Sequence, residues 1–127
     1  MNLTQFLLVF AGGGIGAALR CALSTAAVRA FGTALPVGTF GINLLGCLLM
    51  GLAAECAARS FGLSDNLRLF LMTGVLGGFT TFSTFALEAL SLGARGAVGA
   101  AVIYAAASAG LGILCCALGM GAARLIA

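Results

Sequence analysis

The stretch Gly74-Val75-Leu76-Gly77-Gly78-Phe79-Thr80-Thr81-Phe82-Ser83-Thr84-Phe85 decides how this chain folds. It sits inside an apolar run over residues 67–92, long enough to cross a hydrocarbon core of about 30 Å at 1.5 Å per helical residue. A glycine pair followed by β-branched hydroxyl residues is nevertheless poor helix. A break there frees backbone carbonyls at membrane depth, where only protein, an ion or water can satisfy them. The segment therefore predicts a broken transmembrane helix, with a tolerated glycine kink as the plainer alternative that the residues alone leave open.

The rest of the chain agrees with a membrane setting. Of 127 residues, 62% are hydrophobic and only 7% charged, against about 25% charged in soluble domains. Such a surface cannot stay dissolved in water. Four apolar spans are expected, over residues 6–27, 37–58, 67–92 and 97–121, with a polar turn over 60–66. Their short connections allow only an up-down-up-down, all-α bundle forming one domain over 1–127. No positive charge precedes the first apolar run, so a cleaved leader is not expected.

Composition also removes classes of function. There is no His, no Lys, and only Glu55, Asp65 and Glu88 as acids, so neither a metal cluster nor a base paired with a nucleophile is available. An enzyme is not expected. The six Arg are scattered singly and form no stripe that follows a nucleic acid. Cys21, Cys47, Cys56, Cys115 and Cys116 lack CxxC spacing and are read as small packing residues.

The arginines carry a further message. Arg59, Arg68 and Arg124 fall on the side of the N-terminus, and Arg20, Arg29 and Arg95 toward the other. Orientation in a membrane follows an excess of such charge in cytoplasmic loops. A balanced chain has no instruction, which predicts insertion in both directions and makes an antiparallel homodimer available. Small residues such as Gly12, Gly16, Gly46, Gly51, Gly74 and Gly78 supply surfaces for close helix contact. The break lies near the midplane of its span, so two inverted copies can meet there. Facing carbonyls of Gly77 and Thr80 then make a small, oxygen-only cation site.

Beyond the break, Phe82 and Phe85 are spaced i, i+3 and share a helix face. Their hydroxyl-rich neighbours argue against simple lipid contact. An aromatic ring has a positive edge, so two rings on one face offer successive stations to an anion that has shed water. By span position, Asn43, Phe82, Phe85 and Tyr104 lie within about 10 Å of the midplane, with Ser108 one turn below Tyr104. Asn43, Tyr104 and Ser108 can each donate to an anion. Arg20 is read as a partner of Glu88, with attraction of anions into a vestibule as its alternative.

These residues resemble the Fluc (CrcB-like) family of fluoride channels along essentially the whole chain. The likeness rests on Gly12-Gly13-Gly14-Ile15-Gly16-Ala17-Ala18-Leu19-Arg20, on Gly38-Thr39-Phe40-Gly41-Ile42-Asn43-Leu44-Leu45-Gly46, and above all on the segment from Gly74 to Phe85. It departs mildly, at Cys21 and Gly41, away from the expected path. The resemblance implies a dual-topology homodimer in the bacterial inner membrane, with two antiparallel pores at the subunit interface. It also implies a structural sodium ion held by the carbonyls of Gly77 and Thr80 from both subunits. Phe82 and Phe85 would line the fluoride path with ring edges, Asn43 would donate an amide hydrogen, and Tyr104 and Ser108 would belong to a polar track. The task implied is passive export of fluoride that entered as neutral HF.

Two rivals are weighed against this. A proton-coupled small multidrug exporter is also a short, four-helix, dual-topology protein, but it needs a membrane-embedded carboxylate, and Glu55 and Glu88 lie toward span ends. A non-transporting assembly subunit explains the small-residue faces and leaves the Phe and hydroxyl run without purpose.

Overall fold

A computed structural model describes residues 1–59 and 63–126 of the chain. It is all-helical, with four helices long and apolar enough to cross a membrane: α1 (Leu3–Phe31), α2 (Val37–Ala58), α3 (Asp65–Ala94) and α4 (Val98–Ile126). The second has the bounds read from sequence. The first and third run further into polar sequence, because caps rather than hydropathy set their ends, and α4 runs on past the expected end to Ile126. At the start of α1 the Asn2 side chain accepts from the Gln5 N–H at 2.9 Å, while the Gln5 side chain accepts from the Asn2 N–H at 3.1 Å. Gly32, with φ of 76°, ends the same helix. Ser64 caps α3 through the Leu67 N–H at 3.3 Å, so Asp65 and Asn66 are helical where a turn was expected. Residues 60–62 of that expected turn lie outside the described residues.

Two pairs of parallel helices make the closest contacts. Along α1, a Cβ on Gly12 would stand 2.6 Å from the Phe70 carbonyl oxygen, and one on Gly16 would collide with the Val75 carbonyl. Glycine is thus what lets α1 lie backbone to backbone on α3. Gly51 and Gly119 do the same between α2 and α4, against the carbonyls of Cys116 and Leu48. Where α2 and α4 end together, Glu55 accepts Arg59 Nε at 2.7 Å and Arg124 Nε at 2.9 Å. This places Arg59 and Arg124 on one side of the bundle.

The third helix is broken within the expected segment, on the hydroxyl pair that follows the glycines. Leu69–Leu76 winds as a wide π-helix and Gly77–Phe79 closes as an α-helical turn. The chain then becomes extended at Thr80 (φ −83°, ψ 157°) and Thr81 (φ −149°, ψ 118°) before helix resumes at Phe82. The break is therefore at Thr80-Thr81, and Gly77-Gly78 are helical. The physical reason is a division of labour. Gly78 serves close approach, since a Cβ there would strike the backbone of Gly13 on α1. The two β-branched threonines take the extended conformation that suits them, and Thr81 Oγ1 caps the second half of α3 by accepting from the Thr84 N–H at 3.2 Å.

Candidate functional site

The extended pair is held in place from α2. Asn43 Oδ1 accepts from the Thr81 N–H at 2.9 Å, and Asn43 Nδ2 donates to the Thr81 carbonyl at 3.0 Å. The side chain thus supplies both bonds that the broken helix forfeits at Thr81, and one amide hydrogen remains for a ligand. Sequence reasoning gave Asn43 to the anion; the structure adds that it clamps the break.

The other carbonyls at the break divide into used and open. Leu76 accepts from the Thr80 N–H and hydroxyl, both at 3.1 Å, and Gly78 accepts from Arg20 Nε at 3.1 Å. The carbonyls of Gly77, Phe79 and Thr80 accept no hydrogen bond among the described residues. Unengaged backbone oxygen at membrane depth is the chemistry a cation site requires. The described residues include no cluster of His, Cys, Asp or Glu suited to a metal.

From the break a file of rings leads along α3 to α4. Phe82 and Phe85 have centroids 5.5 Å apart and planes tilted by 44°, and Phe85 and Tyr104 stand 5.3 Å apart at 53°. Phe40 continues the file at 6.4 Å from Tyr104. These separations fall within the range of interacting aromatic pairs, with the planes neither stacked nor perpendicular. Phe82 is 80% exposed in the single subunit, an unusual position for an aromatic ring set in a hydroxyl-rich segment.

Sequence reasoning passed over Thr39 and weighed Glu88 only as a partner for Arg20. Glu88 receives the Thr39 hydroxyl on Oε1 and the Tyr104 hydroxyl on Oε2, each at 2.8 Å. The sign that was available is its spacing: Glu88 follows Phe85 by three residues and so extends the face of Phe82 and Phe85. Two expectations are corrected by this geometry. Arg20 does not pair with Glu88, since it turns instead to the Gly78 carbonyl. The single hydroxyl proton of Tyr104 is committed to the carboxylate, and its ring is what it presents to Phe85.

Ser108 behaves oppositely. Its Oγ is buried and has no hydrogen-bond partner among the described residues. It lines a cavity of about 300 Å³ together with Asn43, Thr80, Thr81, Phe82 and Phe85. A buried hydroxyl without a partner costs free energy on the order of 1–3 kcal/mol, and a polar ligand in that cavity would recover it. Asn43, Phe82, Phe85 and Ser108 are thus brought to one space, with Tyr104 beside it through Phe85. A second cavity, of about 360 Å³, is lined by Thr39, Thr84, Glu88, Ser91 and Arg95 among others. Glu88 and its donor Thr39 both line this second cavity.

Comparison with known proteins places the whole chain among relatives. The sequence matches the family profile described as CrcB-like protein, Camphor Resistance (CrcB), over residues 7–120. It is 53% identical over 108 residues, 85% of this chain and 87% of the relative, to a protein of Rhodopseudomonas palustris named fluoride-specific ion channel FluC. It is 47% identical over 123 residues, 97% of this chain and 98% of the relative, to one of the same name from Rhizobium johnstonii. A third relative, fluoride-specific ion channel FluC 2 of Nitrobacter hamburgensis, is 48% identical over 110 residues, 87% of this chain and 89% of its own length.

Proposed function

The chain belongs to the CrcB-like family, and we propose on that footing that it is a passive, fluoride-selective channel that lets cytoplasmic fluoride leave the cell. It is a multi-pass protein of the bacterial inner membrane and a channel rather than an enzyme. The observation that carries the reading within the molecule is the orphaned Ser108 hydroxyl in a cavity that Phe82 and Phe85 help to line. A small anion with tightly held water needs compensation at every step of its desolvation. Ring edges, one Asn43 amide hydrogen and the Ser108 hydroxyl offer it in sequence, without a fixed positive charge that would trap the ion. The inside-negative potential drives an anion outward through an open path. No further energy source is needed.

A proton-coupled exporter is not supported. Glu55 is held by two arginines and Glu88 by two hydroxyls, and the relatives are named as channels.

The assembly we propose is an antiparallel homodimer of dual topology. What supports it is the near-balance of Arg59, Arg68 and Arg124 at one end of the bundle against Arg29 and Arg95 at the other, with Arg20 drawn into the span, and the 80% exposure of Phe82 in one subunit, a ring that needs a facing wall to enclose an ion path. On the same reading the open carbonyls of Gly77 and Thr80 hold a structural sodium ion with their inverted copies. Sodium there would neutralise facing carbonyl dipoles and hold the two breaks together; it takes no part in transport.

The decisive experiment is efflux from proteoliposomes with fluoride, chloride and hydroxide compared. Fluoride flux far above chloride flux is expected. Comparable chloride flux would overturn the assignment.

A further inference from the structure

Arg20 lies about 5 Å past the midpoint of α1, at 1.5 Å per residue, deep enough that a charged side chain is costly without a purpose. No carboxylate among the described residues pairs with it. Its Nε donates to the Gly78 carbonyl across 58 positions of sequence. Gly12, Gly16 and Arg20 follow one another at intervals of four residues and share one face of α1. The two glycines bring that face against the backbone of Leu69–Leu76 and Phe79, and one turn later the face delivers a guanidinium to the place where the first half of α3 stops.

We infer that Arg20 is the C-terminal cap of the first half of α3, a positioning residue that fixes where the third helix breaks. A helix ending at Phe79 leaves its last carbonyls without partners. The N–H groups that would have served them are gone: Thr81 turns to Asn43 and Thr84 turns to Thr81 Oγ1. Arg20 meets one of the abandoned oxygens with a charge-assisted bond, and its positive charge opposes the negative end of that half-helix dipole. It also selects among the carbonyls. Gly78 is engaged toward α1, so that Gly77, Phe79 and Thr80 are the ones left open. Asn43 from α2 and Arg20 from α1 thus hold the break from its two sides.

The test turns on where donors sit along the side chain. Glutamine carries an N–H at the same number of bonds from the backbone as Arg Nε, without the charge. Methionine has similar length and no donor. Lysine keeps the charge, with its donor one bond further out. Amide hydrogen exchange at Thr80, Thr81 and Thr84, whose N–H groups are all bonded in this structure, reports the break directly. Arg20→Met is expected to speed exchange there by about tenfold or more, while Arg20→Gln stays within about threefold of the parent. Fluoride flux should follow the same order. The inference rests on the channel reading for its flux arm alone: a parent that carries no fluoride would sink that reading, and exchange would still judge Arg20. Arg20→Gln behaving like Arg20→Met while Arg20→Lys matches the parent would overturn the cap in favour of a role for the charge. Unchanged exchange in every variant would overturn it outright. If Arg20→Met fails to fold, the comparison of Gln with Lys decides.

Discussion

Replacing Phe82 and Phe85 by isoleucine separates ring electrostatics from apolar bulk, and the structure makes the two positions unequal. Phe82 has one ring neighbour at 5.5 Å and is 80% exposed in the subunit. Phe85 is half-buried and has two, Phe82 at 5.5 Å and Tyr104 at 5.3 Å. Each aromatic pair is worth about 0.5–1.5 kcal/mol beyond its area. Phe82→Ile should therefore cost the fold about 1 kcal/mol and Phe85→Ile about 2 kcal/mol. Flux should respond differently. If an anion at the ring edge is held about as strongly as a desolvated cation at the ring face, about 2 kcal/mol, each Ile variant should lose about 30-fold in fluoride flux at 1.36 kcal/mol per tenfold. The assay is efflux from liposomes, with thermal unfolding and size-exclusion chromatography on the same samples. Phe82→Ile is the cleaner case, since the expected flux loss exceeds what its small effect on stability can explain. Flux within about threefold of the parent in both variants would refute the argument. The rings would then be spacers, and Asn43, Ser108 and the threonines would carry the path.

Tyr104→Phe keeps the ring file but removes a donor from Glu88. It should lower fluoride flux about tenfold, and adding Glu88→Gln should recover part of the loss, measured as a double-mutant cycle in the same efflux assay. If sodium is structural, replacing it by a large organic cation should lower the unfolding temperature, whereas equal sodium on both sides should support the same fluoride flux as a sodium gradient. Flux that needs the gradient would remove the structural role. Reporters fused after the C-terminus of a single-copy protein should be found on both sides of the membrane in comparable amounts, because the arginines outside the spans nearly balance, three against two. A one-sided signal would remove the basis for an antiparallel pair.

The sequence by itself determined the class of the protein. Hydropathy over four stretches, the scarcity of charge and the hydroxyl-rich run after Gly78 required a membrane bundle with a defect in its third helix, because the bilayer leaves so few ways to satisfy a backbone. It also placed Asn43, Phe82, Phe85, Tyr104 and Ser108 at compatible depths, since rise per residue alone sets depth. What it left undecided is who bonds to whom. Whether the break falls at Gly77-Gly78 or at Thr80-Thr81 depends on α1 pressing against Gly78, a contact between residues far apart in the chain. The same holds for the Asn43 clamp on Thr81, for Glu88 taking the Tyr104 proton, and for Arg20 choosing a carbonyl over a carboxylate. Depth follows from counting along one helix; partnership follows from the rotation and approach of two, and only packing sets those.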